Sequence, residues 1–454
     1  MLHIPWNTDT LHHKKFVNLQ YKNKCMMKRL IISVITMVTM SVCGIAQHTN
    51  GYFIVCEGQY GVEPGLLNFY STKTGELSTN LLNDGSGESL GMTAQFATLS
   101  DGLLFITSKQ NFGSGGRVVV LDAATLEVLA SHAEVDGDAD TRGIAVAPEV
   151  GKFYVGTNRG LYVYDLDTME QLGHVEGTGA DDATMYGAGM GDMAVRNGKL
   201  YVACPAGVMV VDTESDVLTS TIALENTTTV FSVHGQLYAA VNSATWGTPK
   251  STDSERFVPI TDDDTAGEPH EVPAASVNCW FTPKPCAPAE LKGANAVVYC
   301  SGEGLNYLSK YDFDTRQYTE RFIEFTGKQQ MYGHCIATDP ESGDVLVCTF
   351  QSYGSTNYWF CIYDGSTGEL KTTVKMPGHY WFPSQIVRSL WETTETQGDV
   401  NDDKATDVSD VVALANHVMG DTPEVFITAH ADMNSDHDID VSDVVTLANR
   451  VMGD

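Results

Sequence analysis

Two short phrases recur between residues 47 and 391, and their spacing restricts this chain more than any other feature. The first is a glycine turn running into a β-rich strand: Gly51-Tyr-Phe-Ile-Val, Gly102-Leu-Leu-Phe-Ile, Gly151-Lys-Phe-Tyr-Val, Gly198-Lys-Leu-Tyr-Val, Gly235-Gln-Leu-Tyr-Ala, Gly293-Ala-Asn-Ala-Val and Gly343-Asp-Val-Leu-Val. The second is an apolar strand that ends in an acidic turn, at Asp122, Asp165, Asp212, Asp312 and Asp364. Ser71 stands in for the acid in one further copy, and Asp262 closes a degenerate one. Successive turns lie 43 to 52 residues apart, the length of a four-stranded propeller blade. Strand, tight turn, strand is also hairpin chemistry. Seven such units predict a seven-bladed β-propeller, and a ring must close because an open one leaves an unpaired edge. Trp381–Leu390 reads as an innermost strand that Gly51–Val55 continues from the other terminus.

The last residues repeat in a different way. Asp399, Asn401, Asp403, Asp407 and Asp410 recur 33 positions later as Asp432, Asn434, Asp436, Asp440 and Asp443. These are positions 1, 3, 5, 9 and 12 of a loop that wraps oxygen ligands around Ca²⁺, with the carbonyls of Ala405 and Asp438 at position 7. Helical apolar spacing follows each loop, at Val411, Leu414 and Val418 and at Val444, Leu447 and Val451. Helices this short are unstable alone, so the two must pack together. The expected fold class is therefore an all-β propeller body with a small all-α C-terminal domain of two Ca-loop–helix repeats.

A loop followed by one helix, duplicated, with Asp at position 12, resembles the type I dockerin module. The resemblance implies a Ca²⁺-dependent plug that docks into a cohesin on a scaffold or cell surface. It also implies partner recognition through loop positions 10 and 11, here Val408-Ser409 and Val441-Ser442. Those pairs are identical, so two docking orientations related by a half turn are expected. Position 6, normally Gly, is Lys404 and His437, where a side chain costs on the order of 1 kcal/mol. Position 8 is Ile439 in the second loop but Thr406 in the first. The first of the two calcium sites is expected to be the weaker. The body is similar to the YncE-like and surface-layer propellers of exported bacterial proteins. The Asp364-Gly-Ser-Thr-Gly-Glu phrase resembles part of the quinoprotein dehydrogenase repeat, but Thr372 stands where that repeat has Trp.

Met27-Lys-Arg followed by an apolar run to Val42 has the form of a signal peptide, with cleavage before Gln47. Residues 1–46 are read as leader plus signal peptide, 47–391 as propeller, 392–398 as linker and 399–454 as the dockerin-like domain. The expected product is secreted or held at the cell surface, with no span after processing; Cys43 is a lipidation candidate. In such a compartment Cys279 and Cys286 are disulfide candidates, whereas Cys56, Cys204, Cys300 and Cys348 fall in apolar strands and read as buried small hydrophobes. A net charge of −31 argues against nucleic-acid partners.

Loops entering the innermost strands ring a funnel, the default ligand site. Tyr186, Tyr332, His334, His379 and Trp381 are the ligand-binding candidates there, and their rings suit a glycan or a planar small molecule. Catalytic residues are not assigned. An enzyme acting on polysaccharide, with Asp192 and Asp181-Asp182 as carboxylates, is one alternative to a binding protein, and a structural surface protein is another.

Overall fold

The computed structural model describes residues 48–82, 89–110, 115–137, 139–179, 190–243, 254–274, 288–301, 305–390, 397–401, 403, 405–423, 425–434 and 438–452. Tyr186, Cys279, Cys286, Lys404, Asp436 and His437 lie outside them.

Strand after strand in the body is an apolar run buried on both faces, as in Gly51–Cys56, Val345–Phe350 and Ala296–Cys300. Such a run needs another layer on each side. The chain provides this with seven antiparallel four-stranded sheets. Blade one combines innermost Pro383–Arg388 with Gly51–Cys56, Leu66–Ser71 and Leu77–Ser78, so both ends of the body share one sheet. Ile54 stands opposite Ile386 and Tyr52 opposite Arg388, which is the predicted closure. The innermost strands of blades two to seven are Met92–Ser100, Thr141–Ala147, Met193–Arg196, Thr227–Val233, Ala289–Glu290 and Gln330–Thr338. Each neighbouring pair of blades shares one apolar cluster, for example Phe53, Leu67, Leu104 and Ile106 between blades one and two. Val208, Val210, Leu237 and Val258 do the same between blades four and five. Six cysteines, Cys56, Cys204, Cys300, Cys335, Cys348 and Cys361, are buried free thiols.

The recurring phrases are explained by hydrogen bonds. In the acidic turns the Asp Oδ1 accepts from the backbone N–H and hydroxyl three residues on, at 2.8 Å each for Asp122 with Thr125 and at 2.7 and 2.8 Å for Asp312 with Thr315. The carboxylate thus satisfies a turn that the backbone alone leaves unpaired. The Gly-Lys-x-Tyr phrases latch one blade to the next. Lys152 Nζ and Tyr154 Oη both donate to Asp216, each at 2.7 Å, and Lys199 and Tyr201 do the same to Asp264.

In the tail, α1 (Val408–Val418) and α2 (Val441–Met452) pack around Val400, Leu414, Ala431 and Leu447. Asp407 caps α1 and forms a capping box with Asp410. Gly420, at φ +91°, takes the left-handed conformation that ends the helix. Gln397 fastens the start of the tail to its end: its Nε2 donates to the Asp432 carbonyl at 2.7 Å, and its own carbonyl accepts from Arg450 at 2.9 Å.

Candidate functional site: two cation loops and the funnel face

In the first loop one carboxylate oxygen each from Asp399, Asp403 and Asp410 fall within 4.8 Å of one another. Asp399 and Asp410 are 1% and 0% exposed. Asp403 is exposed; two buried carboxylates so close to it and to each other repel unless something positive lies between them, so the donor set fits a hard divalent cation. Backbone N–H groups shape the loop around that point. Asp410 accepts from Asn401 N at 3.2 Å and Asp407 N at 2.9 Å, and Asp399 Oδ1 accepts from Asp403 N at 3.1 Å.

The second loop repeats the arrangement. Asp443, also 0% exposed, accepts from Met433 N at 2.7 Å, Asn434 N at 3.3 Å and Asp440 N at 2.9 Å. Asn401 and Asn434 each donate to the serine at loop position 11, Ser409 and Ser442, at 2.8 Å. The two serine hydroxyls donate to Asp407 and Asp440 at 2.7 Å. These hydroxyls, and then the serine backbone N–H groups, hold the Asp407 and Asp440 carboxyls below the usual carboxylate range. Position 10 is turned outward. Val408 and Val441 are exposed, and so are Val412 and Val445 one turn along each helix, which leaves the same apolar pair on both helices. Ile439 packs on the tail core.

On the propeller, the ends from which innermost strands start form the funnel face. Tyr332 is buried, and its hydroxyl donates to Glu57 Oε2 at 2.8 Å. Trp381 is 4% exposed and donates its indole N–H to the Pro377 carbonyl at 2.8 Å, so it serves as wall rather than open platform. His379 Nε2 lies 2.7 Å from Glu63 Oε1. His334 lies in the innermost strand of blade seven. Asp192 of the carboxylate alternative accepts from Thr229 Oγ1.

Beside Tyr332 is a charged group that the sequence reading missed. Gln95 Nε2 donates to Glu57 Oε1 at 2.9 Å. Lys109, Arg117 and Arg142, all at least 95% buried, converge on the same face, where Arg117 and Arg142 stand 3.9 and 4.0 Å from Asp140. Burial pushes the Glu57 carboxyl up to about 6. Burial, helped by the Arg142 charge, brings the Lys109 ammonium down to about 7. These side chains come from the ends of strands far apart in the chain. The available signal was a polar residue closing an otherwise apolar strand, as Ser108-Lys109-Gln110 closes Leu103–Gln110.

Fold and loops define a seven-bladed propeller joined to a type I dockerin. Residues 397–452 match the dockerin type I domain. Residues 50–388 match the family described as a domain of unknown function, DUF5074, and the chain belongs to that family. Type I dockerins bind calcium and imply a cohesin partner, and proteins that carry them are typically extracellular or at the cell surface. Among the described residues no helix is long and apolar enough to cross a membrane. No curated protein matches the chain. One similar solved structure is a quinonprotein alcohol dehydrogenase-like protein from Bacteroides thetaiotaomicron. It is 18% identical, with TM-score 0.56, covering 75% of this chain and 78% of that one. Another is a functionally unknown protein from Desulfotomaculum acetoxidans, 11% identical, with TM-score 0.49, covering 76% of this chain and 100% of that one. The likeness to the first is one of fold.

Proposed function

We propose that this is an exported binding protein whose propeller, residues 47–391, recognises a ligand, and whose tail, residues 399–454, docks it to a cohesin-bearing partner through two calcium loops. The observation that carries the docking half is the convergence of the Asp399, Asp403 and Asp410 carboxylates within 4.8 Å, repeated in sequence by Asp432, Asp436 and Asp443. Asp399, Asn401, Asp403, the Ala405 carbonyl, Asp407 and Asp410 would hold one ion; Asp432, Asn434, Asp436, the Asp438 carbonyl, Asp440 and Asp443 would hold the other. Bound calcium supplies the positive charge that lets these carboxylates share a loop. The protein groups then set the geometry: Asp410 and Asp443 gather the loop N–H groups, and the closed loops start α1 and α2 with Val408 and Val441 outward. Identical Val-Ser pairs on both helices support two docking orientations.

The test is retention of the full chain on a panel of immobilised cohesin domains in calcium and in EDTA. Retention in calcium alone supports the reading; no retention on any cohesin in either buffer refutes the docking half. A second reading, an enzyme on the propeller, draws on Glu57, since a carboxyl near 6 beside a tyrosine hydroxyl is in the range for general acid–base work. It predicts release of new reducing ends from a polysaccharide panel, abolished by Glu57→Gln.

A further inference from the structure

We propose that a groove on the funnel face between blades six and seven is a carbohydrate subsite that takes a carboxylate-bearing pyranose ring, an inference that rests on the ligand-binding reading of the propeller. The groove measures about 380 Å³ and is lined by Thr326, Gly327, Lys328, Gln329, Gln351 and Trp359. That is within the range of small-ligand sites. Its wall is built by the strand pattern. Trp359 is the second residue of the third strand of blade seven, Tyr358–Tyr363, directly opposite Thr349 and Lys375, and is half-buried and packed against the core between blades six and seven.

The polar groups are pre-positioned. Gln329 is 9% exposed, and its Oε1 is held by Thr349 Oγ1 at 2.9 Å and Cys361 Sγ at 3.9 Å. Gln351 Oε1 accepts from Asn357 Nδ2 at 2.8 Å and Ser355 Oγ at 3.3 Å. With both amide oxygens clamped from behind, both Nε2 groups are left as donors at the groove. Neither amide nitrogen has a hydrogen-bond partner among the described residues, nor does the Trp359 indole N–H. Lys328 is exposed beside them and makes no ion pair among the described residues. An aromatic face suits the C–H face of a pyranose. Fixed amide donors suit its hydroxyl oxygens, because a built donor left without an acceptor discriminates strongly against ligands that lack one. The ammonium adds a preference for a carboxylate on the ring. The site has more donors than acceptors, the reverse of what a cationic ligand needs.

The experiment is isothermal titration of the full chain, in low calcium, with oligogalacturonides and with neutral xylo- and malto-oligosaccharides, for the wild type, Trp359→Ala, Gln351→Ala and Lys328→Ala. The expected result is binding of the uronate series, weakened about tenfold by Trp359→Ala. Lys328→Ala should erase the advantage over neutral sugars without changing the melting temperature, which keeps the test valid even if Trp359→Ala loosens the blade. Uronate binding that all three variants retain would place the sugar elsewhere and overturn the groove while leaving ligand binding by the propeller intact. Failure of the wild type to bind any of these sugars would overturn the carbohydrate assignment too. Cohesin retention reports on the tail separately and is expected to be unchanged in every variant.

Discussion

Replacing Asp443 by Ala should unfasten the C-terminal module more severely than replacing Asp410. Both carboxylates are 0% exposed, but Asp443 accepts three backbone N–H groups and Asp410 accepts two. A hydrogen bond to a charged group contributes about 1.5 kcal/mol or more. On that basis Asp410→Ala costs about 3 kcal/mol and Asp443→Ala about 4–5 kcal/mol, before the lost calcium ligand is counted. Against a typical stability of about 5–15 kcal/mol for a whole domain, either value empties much of the folded population of a module this small. The helices cannot survive on their own, since isolated helices shorter than about 12–15 residues are marginal in water. Amide hydrogen exchange read by mass spectrometry over 408–418 and 441–452, in calcium and in EDTA, measures the effect. Wild type should gain protection in both helices on adding calcium, Asp410→Ala should gain less, and Asp443→Ala should gain little in either. Equal, calcium-dependent protection in all three proteins would refute the view that position 12 closes the loops.

Four further outcomes follow from the same structure. Thr406→Ile should raise calcium affinity at the first loop toward that of the second, measured by calcium titration of the full chain beside the wild type, because Ile439 already packs its loop on the tail core. Tyr154→Phe or Asp264→Asn should lower the melting temperature of the propeller by a few degrees, for loss of about 1–2 kcal/mol each, because each breaks a latch between blades. Burial acts to raise the Asp264 carboxyl, but bonds from Lys199 and Tyr201 outweigh it and hold the carboxyl below the usual range. The stability it contributes is therefore present above the unfolded aspartate value and should disappear, in acid melts, as pH falls through the depressed one. Glu57 has the opposite sign: its carboxyl is raised to about 6, so stability should fall as pH rises from the ordinary glutamate value through 6, and Glu57→Gln should flatten that slope.

What could be read from the sequence depended on whether residues that act together lie together. The proposed calcium ligands occupy one twelve-residue loop and then a second, so their repeat could be read without coordinates, and the carboxylates of Asp399, Asp403 and Asp410 do converge. The acidic turns were equally visible, because Asp122 and Thr125 satisfy each other three residues apart. Closure of the ring was legible from Trp381–Leu390, a strand lacking neighbours at its own end of the chain. The charged group on the funnel face was not, because Glu57, Lys109, Arg142 and Tyr332 meet only when four blades are assembled. Which way a candidate ring faces was hidden for a related reason. A ring next to an innermost strand can cap the core as easily as face the funnel, and Trp381 does the former, while Trp359, singled out by nothing local, lines the groove.

Topology also relates the two halves of the proposed function. Pro383–Arg388 pairs antiparallel with Gly51–Cys56, and Arg388 ends beside Asp339, in the turn between the first two strands of blade seven. Glu57, Tyr332 and the groove lie at the other end of those strands. The described chain therefore leaves the propeller, at Leu390, from the face opposite the funnel loops, and under the proposed function that exit would keep a partner holding the tail away from the ligand. If that arrangement matters, moving the tail to a loop on the funnel face should preserve calcium-dependent retention on cohesin yet weaken ligand capture by the retained protein. Undiminished capture from such a permuted chain would show that the exit face is a by-product of ring closure.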